Sequence, residues 1–296
     1  MRRTVTSWLV GVACAAALVL PGCGKSAAPE VGVATPALTV SPERAPLGSP
    51  VEMKFTFQVA TDAPKFDTDY RVFVHVMDQD GERLWIDDHD LPIPTTTWTA
   101  GQTVEYTRTS FVPVVPYNGL ASVQIGLYAP KDGTRLPLTG EAVGQRAYRV
   151  AKLDLAPQSE NVFLLFKDGW QPSEISESDP TLEWQWTKRA ATWVFANPRK
   201  DALFYLHYDG RPDLFSAPQD VTLSIGDRSI DRFTVASPKP AVRKVLIPAA
   251  AMGDGEKVEL RVDAGTVFIP SQLPGASSTD GRELGLRVYH AYLRPQ

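Results

Sequence analysis

Apolar and polar residues alternate with a period of two along most of this chain, and this feature restricts its fold most strongly. In the segment "VEMKFTFQV", five apolar residues fall on one face: Val51, Met53, Phe55, Phe57 and Val59. Polar residues occupy the other face, as expected of a strand with one buried side. No segment after the N-terminal region carries a comparable helical period. We therefore predict an all-β protein.

The first half of the chain reads as a set of about seven short strands. "YRVFVHVMD" is apolar on both faces, which indicates a central strand. The turn residues "DQDG" at 78–81 then lead into "ERLWI", and "PKDG" at 130–133 marks a second turn. Short strands at this spacing predict a β-sandwich over residues 37–155.

The second half repeats this organisation after the polar stretch "APQSEN". Its strand-like segments include "VFLLF", "LEWQWT", "ATWVFA", "ALFYLHY", "DVTLSI", "KVELRV" and "LGLRVYHAYL". Gly226 and Asp227 form a two-residue hairpin signal, and only "PAAAM" is a candidate for a short helical turn. We predict a second β-sandwich over residues 156–296, folded separately from the first.

The N-terminal segment has the pattern of a secretory signal. Arg2 and Arg3 precede an uncharged run from Trp8 to Leu20. This run is shorter than the ~20 apolar residues that a transmembrane helix needs. Residues 1–22 are therefore predicted to be a signal peptide that is removed.

The segment "LPGC" at 20–23 resembles the lipobox of bacterial lipoproteins. The resemblance implies cleavage before Cys23, a diacylglycerol thioether on its sulfur and an acyl chain such as palmitate on the new amino terminus. Two or more chains hold a protein stably on a bilayer. The expected location is the bacterial cell envelope, on the outer rather than the inner membrane where a cell has both. Residues 23–36, rich in Ala, Gly and Pro, are predicted to be the lipidated cysteine and a flexible tether.

Both halves also resemble known families. "FVHVMDQDGERL" followed by "GLYAPKDGTRLPL" resembles an immunoglobulin-like or fibronectin-like module of bacterial envelope proteins. Such modules act as spacers or docking surfaces. The pattern from "GWQPSE" through "LEWQWT" to "GRELGLRVYHAYL" resembles a galactose-binding-like jelly roll. Neither resemblance implies a catalytic activity.

Charge and cysteine content exclude several classes of function. The net charge is −4, and removal of residues 1–22, which hold two arginines and no acidic residue, makes it −6. A mildly acidic chain without a run of Lys or Arg lacks the basic patch with which proteins bind nucleic acid. Cys14 and Cys23 are its only cysteines. Once Cys14 is removed and Cys23 lipidated, disulfides, cysteine-bound metals and cysteine nucleophiles are excluded.

Aromatic residues in the second half are the main candidates for a ligand site. Six residues form this set, four of them indoles that suit the apolar faces of sugars and two of them hydrogen-bond donors: Trp170, Trp184, Trp186, Trp193, Lys188 and Arg189. Trp184 and Trp186 lie two residues apart and share one face of their strand. The alternative is that these indoles complete the core, because Trp is highly buried on average.

Other polar clusters predict no metal or cofactor. His75, His207 and His290 fall in predicted strands, and His89 lies in the acidic loop "DDHD". None has a second histidine at ligand spacing along the chain. "DDHD" reads as a solvated loop, and "SESD" at 176–179 is one possible donor for a structural calcium.

Three functions remain open from the sequence. The first is a non-catalytic, lipid-anchored protein that binds envelope or extracellular glycan through its second sandwich. The second is an assembly protein that docks other envelope proteins. The third is a polysaccharide hydrolase, since two carboxylates facing a cleft cannot be recognised from sequence.

Overall fold

The computed structural model of the protein describes residues 31–296. The predicted signal peptide and Cys23 lie outside the described residues, so their assignment stays a prediction. Residues Gly32–Gln296 form one compact unit. Their regular secondary structure is almost entirely β-strand, as the alternating pattern predicts. Within this range, no helix is long and apolar enough to cross a bilayer.

The first half of this unit consists of ten strands and short connections. Their bounds are β1 Ala34–Ser41, β2 Arg44–Pro46, β3 Pro50–Val59, β4 Arg71–Met77, β5 Arg83–Ile86, β6 His89–Asp90, β7 Thr103–Phe111, β8 Gly119–Tyr128, β9 Glu141–Gly144 and β10 Ala147–Ala156. Single 3-10 turns lie at Thr95–Thr97 and Gln158–Glu160.

The second half contains ten further strands and the one short helix of the described chain. Their bounds are β11 Leu165–Phe166, β12 Glu174–Ile175, β13 Glu183–Trp186, β14 Ala190–Ala196, β15 Ala202–Asp209, β16 Gln219–Ile225, β17 Arg228–Val235, β18 Ala241–Ile247, α1 Ala249–Met252, β19 Lys257–Asp263 and β20 Arg287–Pro295. Two 3-10 turns lie at Pro212–Leu214 and Pro270–Gln272.

Two sheets face each other in the first half. One has the order β1-β3-β7, and the other has the order β2-β10-β8-β4-β5, with β6 beside β4 and β9 beside β10. Along β3 the burial pattern alternates, so that Met53, Phe55 and Phe57 are fully buried. They pack on inward residues of β4 and β8 in a single core. The period-two prediction for this segment is confirmed.

The predicted tether is too long at its C-terminal end. β1 begins at Ala34 and pairs with β3 along its whole length. Ala34 and Pro36 point into the first core, while Thr35 and Ala37 are exposed. A segment rich in small residues therefore forms an ordinary edge strand, because β3 supplies the hydrogen-bond partners that its composition does not predict.

The second half is also a sandwich of two antiparallel sheets. Their strand orders are β11-β14-β19-β16-β17 and β12-β13-β20-β15-β18. Trp193, Phe204 and Leu260 are fully buried between them. This core is distinct from that of the first half, since the two buried clusters share no residue.

Local predictions in the second half hold with one exception. β16 and β17 form the expected hairpin around Gly226, whose φ is 54°, and the segment "PAAAM" contains α1. By contrast, "VFLLF" forms a strand only at its last two residues. Only Leu165 and Phe166 pair with β14, and both are exposed, because they form the edge of their sheet.

Candidate functional site

One sheet of the second sandwich carries a row of aromatic and charged side chains on its outer face. Cross-strand partners in an antiparallel sheet lie on the same face. Trp186 is opposite Arg287, and Arg287 is opposite Asp209, so these three side chains project together from β13, β20 and β15. Their alternating neighbours, among them Tyr208 and Val288, point into the core.

Arg287 is the centre of this face. Its guanidinium carbon lies 5.2 Å from the ring centroid of Trp184, 5.4 Å from that of Trp186 and 5.3 Å from that of Tyr289. Each distance is within the range of a cation–π contact. A single cation thus holds three aromatic rings together. We name Trp184, Trp186, Arg287, Tyr289 and Asp209 the Arg287 cluster.

Asp209 holds that cation in place from below. Arg287 Nε donates to Asp209 Oδ1 at 2.8 Å, and the hydroxyl of Tyr289 donates to Oδ2 at 2.7 Å. Burial and the hydrogen bond to Asp209 raise the pKa of Tyr289 well above its usual range. Tyr289 therefore stays a neutral donor, and the orientation of Arg287 is set by a buried carboxylate.

Trp184 and Trp186 share a face, as predicted, but they differ in exposure. Trp186 is 7% exposed and packs edge-on against Phe268 at a centroid distance of 5.7 Å. Phe268 belongs to the long connection between β19 and β20, which forms a small third core with Leu284. Trp184 is half-buried and lies at the border of this core.

An arginine fastens the connection that covers Trp186. Arg282 donates to Glu174 Oε1 and to Asp280 Oδ2, at 2.7 Å in each case. The hydrogen bond to Asp280 is the main reason that the pKa of Arg282 is raised. The connection therefore has a charged anchor on β12. Trp186 is consequently a structural residue of the Arg287 cluster.

One other tryptophan proposed as a ligand contact, Trp193, is corrected to a structural role, and Trp170 packs against it. Trp193 is fully buried in the second core and packs on Phe204. Trp170 packs on Trp193 with a centroid distance of 4.7 Å and donates its indole N–H to the carbonyl of Thr192. Trp193 belongs to the opposite sheet, because β14 pairs with β19 and not with β20. The backbone of Trp170 forms a bridge with Thr187, and its role as a ligand contact stays a prediction.

Lys188 and Arg189 are exposed, as a ligand contact requires, but they follow the end of β13. The amide of Lys188 donates to the carbonyl of Gly169, and the amide of Arg189 donates to Glu283 Oε1. Among residues 31–296, no side-chain hydrogen bond or ion pair links Lys188 or Arg189 to Trp184. Their role as ligand donors stays a prediction.

The segment "DDHD" is not the solvated loop that the sequence predicts. His89 is 5% exposed, and its ring nitrogens lie 2.8 Å from the carbonyl of Asp87 and from the hydroxyl of Tyr106. Burial lowers the pKa of His89. The segment contains β6, which pairs with β4. Among residues 31–296, no group of three His, Cys, Asp or Glu side chains is arranged to hold a metal.

Sequence reasoning missed three members of the Arg287 cluster: Asp209, Arg287 and Tyr289. They lie at the ends of strands far apart in sequence, and only the register of β15 with β20 brings them together. One signal was present in the sequence of β20, where Arg287 and Tyr289 alternate with the buried residues Leu286 and Val288.

Comparisons with known proteins identify no family. No family model matches the sequence, and no curated protein matches it at a significant level. Solved structures similar to this chain include carbohydrate-binding β-sandwich modules. One, from a study of the promiscuous specificity of carbohydrate-binding modules of the β-sandwich superfamily, is 10% identical and covers 90% of this chain and 99% of its own, with a TM-score of 0.26.

Two further structures illustrate the range of these similarities. The CBM22-1–CBM22-2 tandem domain of Paenibacillus barcinonensis Xyn10C is 11% identical, with coverage of 84% and 79% and a TM-score of 0.24. The alkylpurine DNA glycosylase AlkC of Pseudomonas fluorescens is 16% identical over 43% of this chain, with a TM-score of 0.28. The chain spans 31% of that protein's length. Such TM-scores carry no argument about ligand or activity.

Proposed function

We propose that this protein is a non-catalytic, lipid-anchored envelope protein that binds glycan at the Arg287 cluster. The observation that carries the proposal is the half-buried ring of Trp184, held beside Tyr289 and Arg287 on the outer face of the sheet. An aromatic ring offers a flat apolar surface to a sugar, and neighbouring donors orient its hydroxyl groups. Because the carboxylate of Asp209 compensates the positive charge of Arg287, the site suits a neutral sugar better than an anionic one.

The arrangement of the first sandwich supports a spacer role. β1 enters it at Ala34, opposite Val59, whereas Pro50 and Phe111 lie at the other end of β3. That second end contacts the second sandwich. β3 has ten residues, and a strand rises ~3.3 Å per residue. The length of one strand, about 30 Å, therefore separates Ala34 from the end of the first sandwich that contacts the second.

Retention on insoluble peptidoglycan and polysaccharides tests glycan binding. Trp184→Ala should release the protein from the glycan that retains the wild type, while its unfolding midpoint changes little. Phe166→Ala is the matched control, since Phe166 is a 49% exposed aromatic residue of the other sheet. Unchanged retention of Trp184→Ala would remove this residue from the site.

Fractionation of cells tests the anchor separately. Cys23→Ser should release the protein from membranes that are washed in high salt, because the acyl chains provide the stable attachment. Membrane association equal to that of the wild type would contradict lipidation at Cys23. Glycan retention by the released protein distinguishes a failure of the anchor from a failure of the binding site.

A second candidate function, docking of another envelope protein, is favoured by one observation. Three large apolar side chains are exposed in the edge strand β11 and just before it: Phe163 at 52%, Leu165 at 61% and Phe166 at 49%. In-cell cross-linking of the wild type and of Leu165→Asp would test it. Leu246→Asp is the control, because Leu246 is 52% exposed on the opposite sheet.

A further inference from the structure

A cavity lies on the outer face of the larger sheet of the first sandwich. His75 and Gln124 are cross-strand partners of β4 and β8, and the alternating neighbours Val74 and Val123 point into the first core. His75 and Gln124 therefore project outward, where they line a cavity of about 460 Å³. This volume is within the usual range for small-molecule sites. We name it the Arg135 cavity, and its polar lining residues are His75, Arg83, Gln124, Arg135 and Gln145.

The charged side chains of this lining are both basic, although the chain as a whole has a net charge of −4. Arg83 and Arg135 line the cavity, and no Asp or Glu does. Neither arginine forms an ion pair with any residue between 31 and 296. Carboxylates of the flanking segments are engaged elsewhere, since Glu141 pairs with Arg149 and Asp88 accepts a main-chain amide. Two guanidinium groups without a carboxylate partner at one cavity favour an anionic ligand.

Arg135 is held in place by contacts within the first sandwich. Its guanidinium carbon lies 4.2 Å from the ring centroid of Phe73, and its Nη1 donates to the carbonyl of Gln145 at 2.8 Å. Phe73 is only 2% exposed although it belongs to the outer face, because the absence of a side chain at Gly126 lets its ring lie against the sheet. Arg135 Nε and Nη2 make no hydrogen bond within residues 31–296. They remain available as donors to a carboxylate.

The turn beside Arg135 has a strained backbone. Gln145 and Arg146 form a two-residue loop between the paired residues Gly144 and Ala147, with φ angles of 49° and 52°. Positive φ at both positions is the type I′ geometry, which favours Asn-Gly and not long side chains. Of the other non-glycine residues between 31 and 296, Arg199 alone has a positive φ. Strained residues of this kind cluster at ligand sites, so Gln145 is a candidate contact.

Apolar side chains complete the lining of the cavity. Met77, Val143 and Ala147 contribute to it alongside the two amides of Gln124 and Gln145. A simple anion would use only the arginines. A sugar acid would use all three kinds of group, because it combines a carboxylate with hydroxyl groups and the apolar C–H faces of its ring.

We propose that the Arg135 cavity binds a carboxylated sugar of the uronic acid class. Arg83 and Arg135 bind the carboxylate, the amides of Gln124 and Gln145 bind hydroxyl groups, and the apolar lining contacts the ring. The first sandwich is then a second binding module and not only a spacer. This site does not depend on glycan binding at the Arg287 cluster, which lies in the other sandwich.

Calorimetric titration of the full-length protein with D-glucuronate and D-galacturonate tests the ligand class. At least one of these uronates should bind saturably. The corresponding neutral sugar, glucose or galactose, should bind about tenfold more weakly, because it lacks the carboxylate that the arginines recognise. Inorganic phosphate and acetate should also bind about tenfold more weakly, since they lack the ring. Absence of uronate binding would overturn the proposal, and so would equal affinity for the neutral sugars or for the simple anions.

An exposed arginine tests the site without loss of the fold. Arg83 lies on the edge strand β5, and Arg83→Gln should weaken uronate binding about tenfold. Arg232→Gln is the matched control, because Arg232 is an exposed strand residue of the second sandwich and the change in charge is the same. This control should bind uronate as the wild type does. Equal weakening in the two variants would reduce the effect to net charge and overturn the site.

The strained turn provides a variant that separates binding from stability. Glycine adopts a positive φ without strain, so Gln145→Gly should unfold at the same temperature as the wild type or at a higher one. Loss of the amide should still weaken uronate binding by about fivefold. A purely structural role of Gln145 would not produce this combination. Wild-type affinity in both Gln145→Gly and Arg83→Gln would overturn the proposal.

Discussion

Arg287 and Asp209 form a two-bonded ion pair across β20 and β15. Arg287 Nε lies 2.8 Å from Oδ1, and Nη2 lies 2.5 Å from Oδ2. The Asp209 side chain has no exposed surface, whereas that of Arg287 is 28% exposed. The carboxylate is therefore the buried half of the pair, and it depends on the guanidinium for compensation of its charge.

Removal of the carboxylate should destabilise the second sandwich strongly. Asp209→Ala leaves Arg287 partly buried without its partner, and the loss of one member of a buried pair costs about 3 kcal/mol. Asp213→Asn is the control, because Asp213 pairs with Arg211 at the surface, where ion pairs contribute little. Urea unfolding followed by fluorescence measures both variants. Similar unfolding midpoints would contradict the special role of Asp209.

The tryptophans should separate into core and surface classes. Trp193→Ala should lower the free energy of unfolding by ~3–5 kcal/mol, because its indole is fully buried in the second core. Trp184→Ala should lower it much less, because its ring is half-buried. Denaturant titration of the two variants under identical conditions checks this order. A larger loss for Trp184→Ala would show that Trp184 is a packing residue.

A tyrosine hydroxyl should stabilise the first sandwich. The amide of Leu138 donates to the hydroxyl oxygen of Tyr148 at 2.8 Å, and both residues are buried. Tyr148→Phe leaves this amide without an acceptor and should cost ~1–3 kcal/mol. Tyr117→Phe is the control, since the hydroxyl of Tyr117 donates to an exposed carbonyl. Thermal unfolding of the variants measures the difference.

The two sandwiches should fold separately when expressed apart. β1 begins at Ala34 and β10 ends at Ala156, so residues 32–157 and 158–296 keep each set of strands intact. Each fragment retains its own buried core. Both should unfold cooperatively with β-type circular dichroism. The second fragment should be less stable than the same sandwich in the full chain, because Lys244 and Arg294 lose their partners Glu52 and Pro50. Non-cooperative unfolding of both fragments would contradict this division.

The sequence by itself determined the all-β class and much of the strand content. Alternation places Met53, Phe55 and Phe57 inside a core. This burial can be predicted from the sequence of β3 alone, without knowledge of the strand that pairs with it. Turn chemistry likewise predicted the hairpin at Gly226, because its positive φ favours glycine. Composition alone was misleading where the position of a strand in its sheet decides burial. Ala34 is buried because β1 pairs with β3, and Leu165 is exposed in an edge strand.

Only the tertiary structure decided which residues form the sites. Cross-strand register joins Asp209 to Arg287, residues that are about eighty positions apart in the chain. The same register and the connection after β19 bury Trp186 while they leave Trp184 half-open. The physical reason is that a period of two assigns each side chain to a face, whereas the pairing of strands decides which faces meet and what covers them.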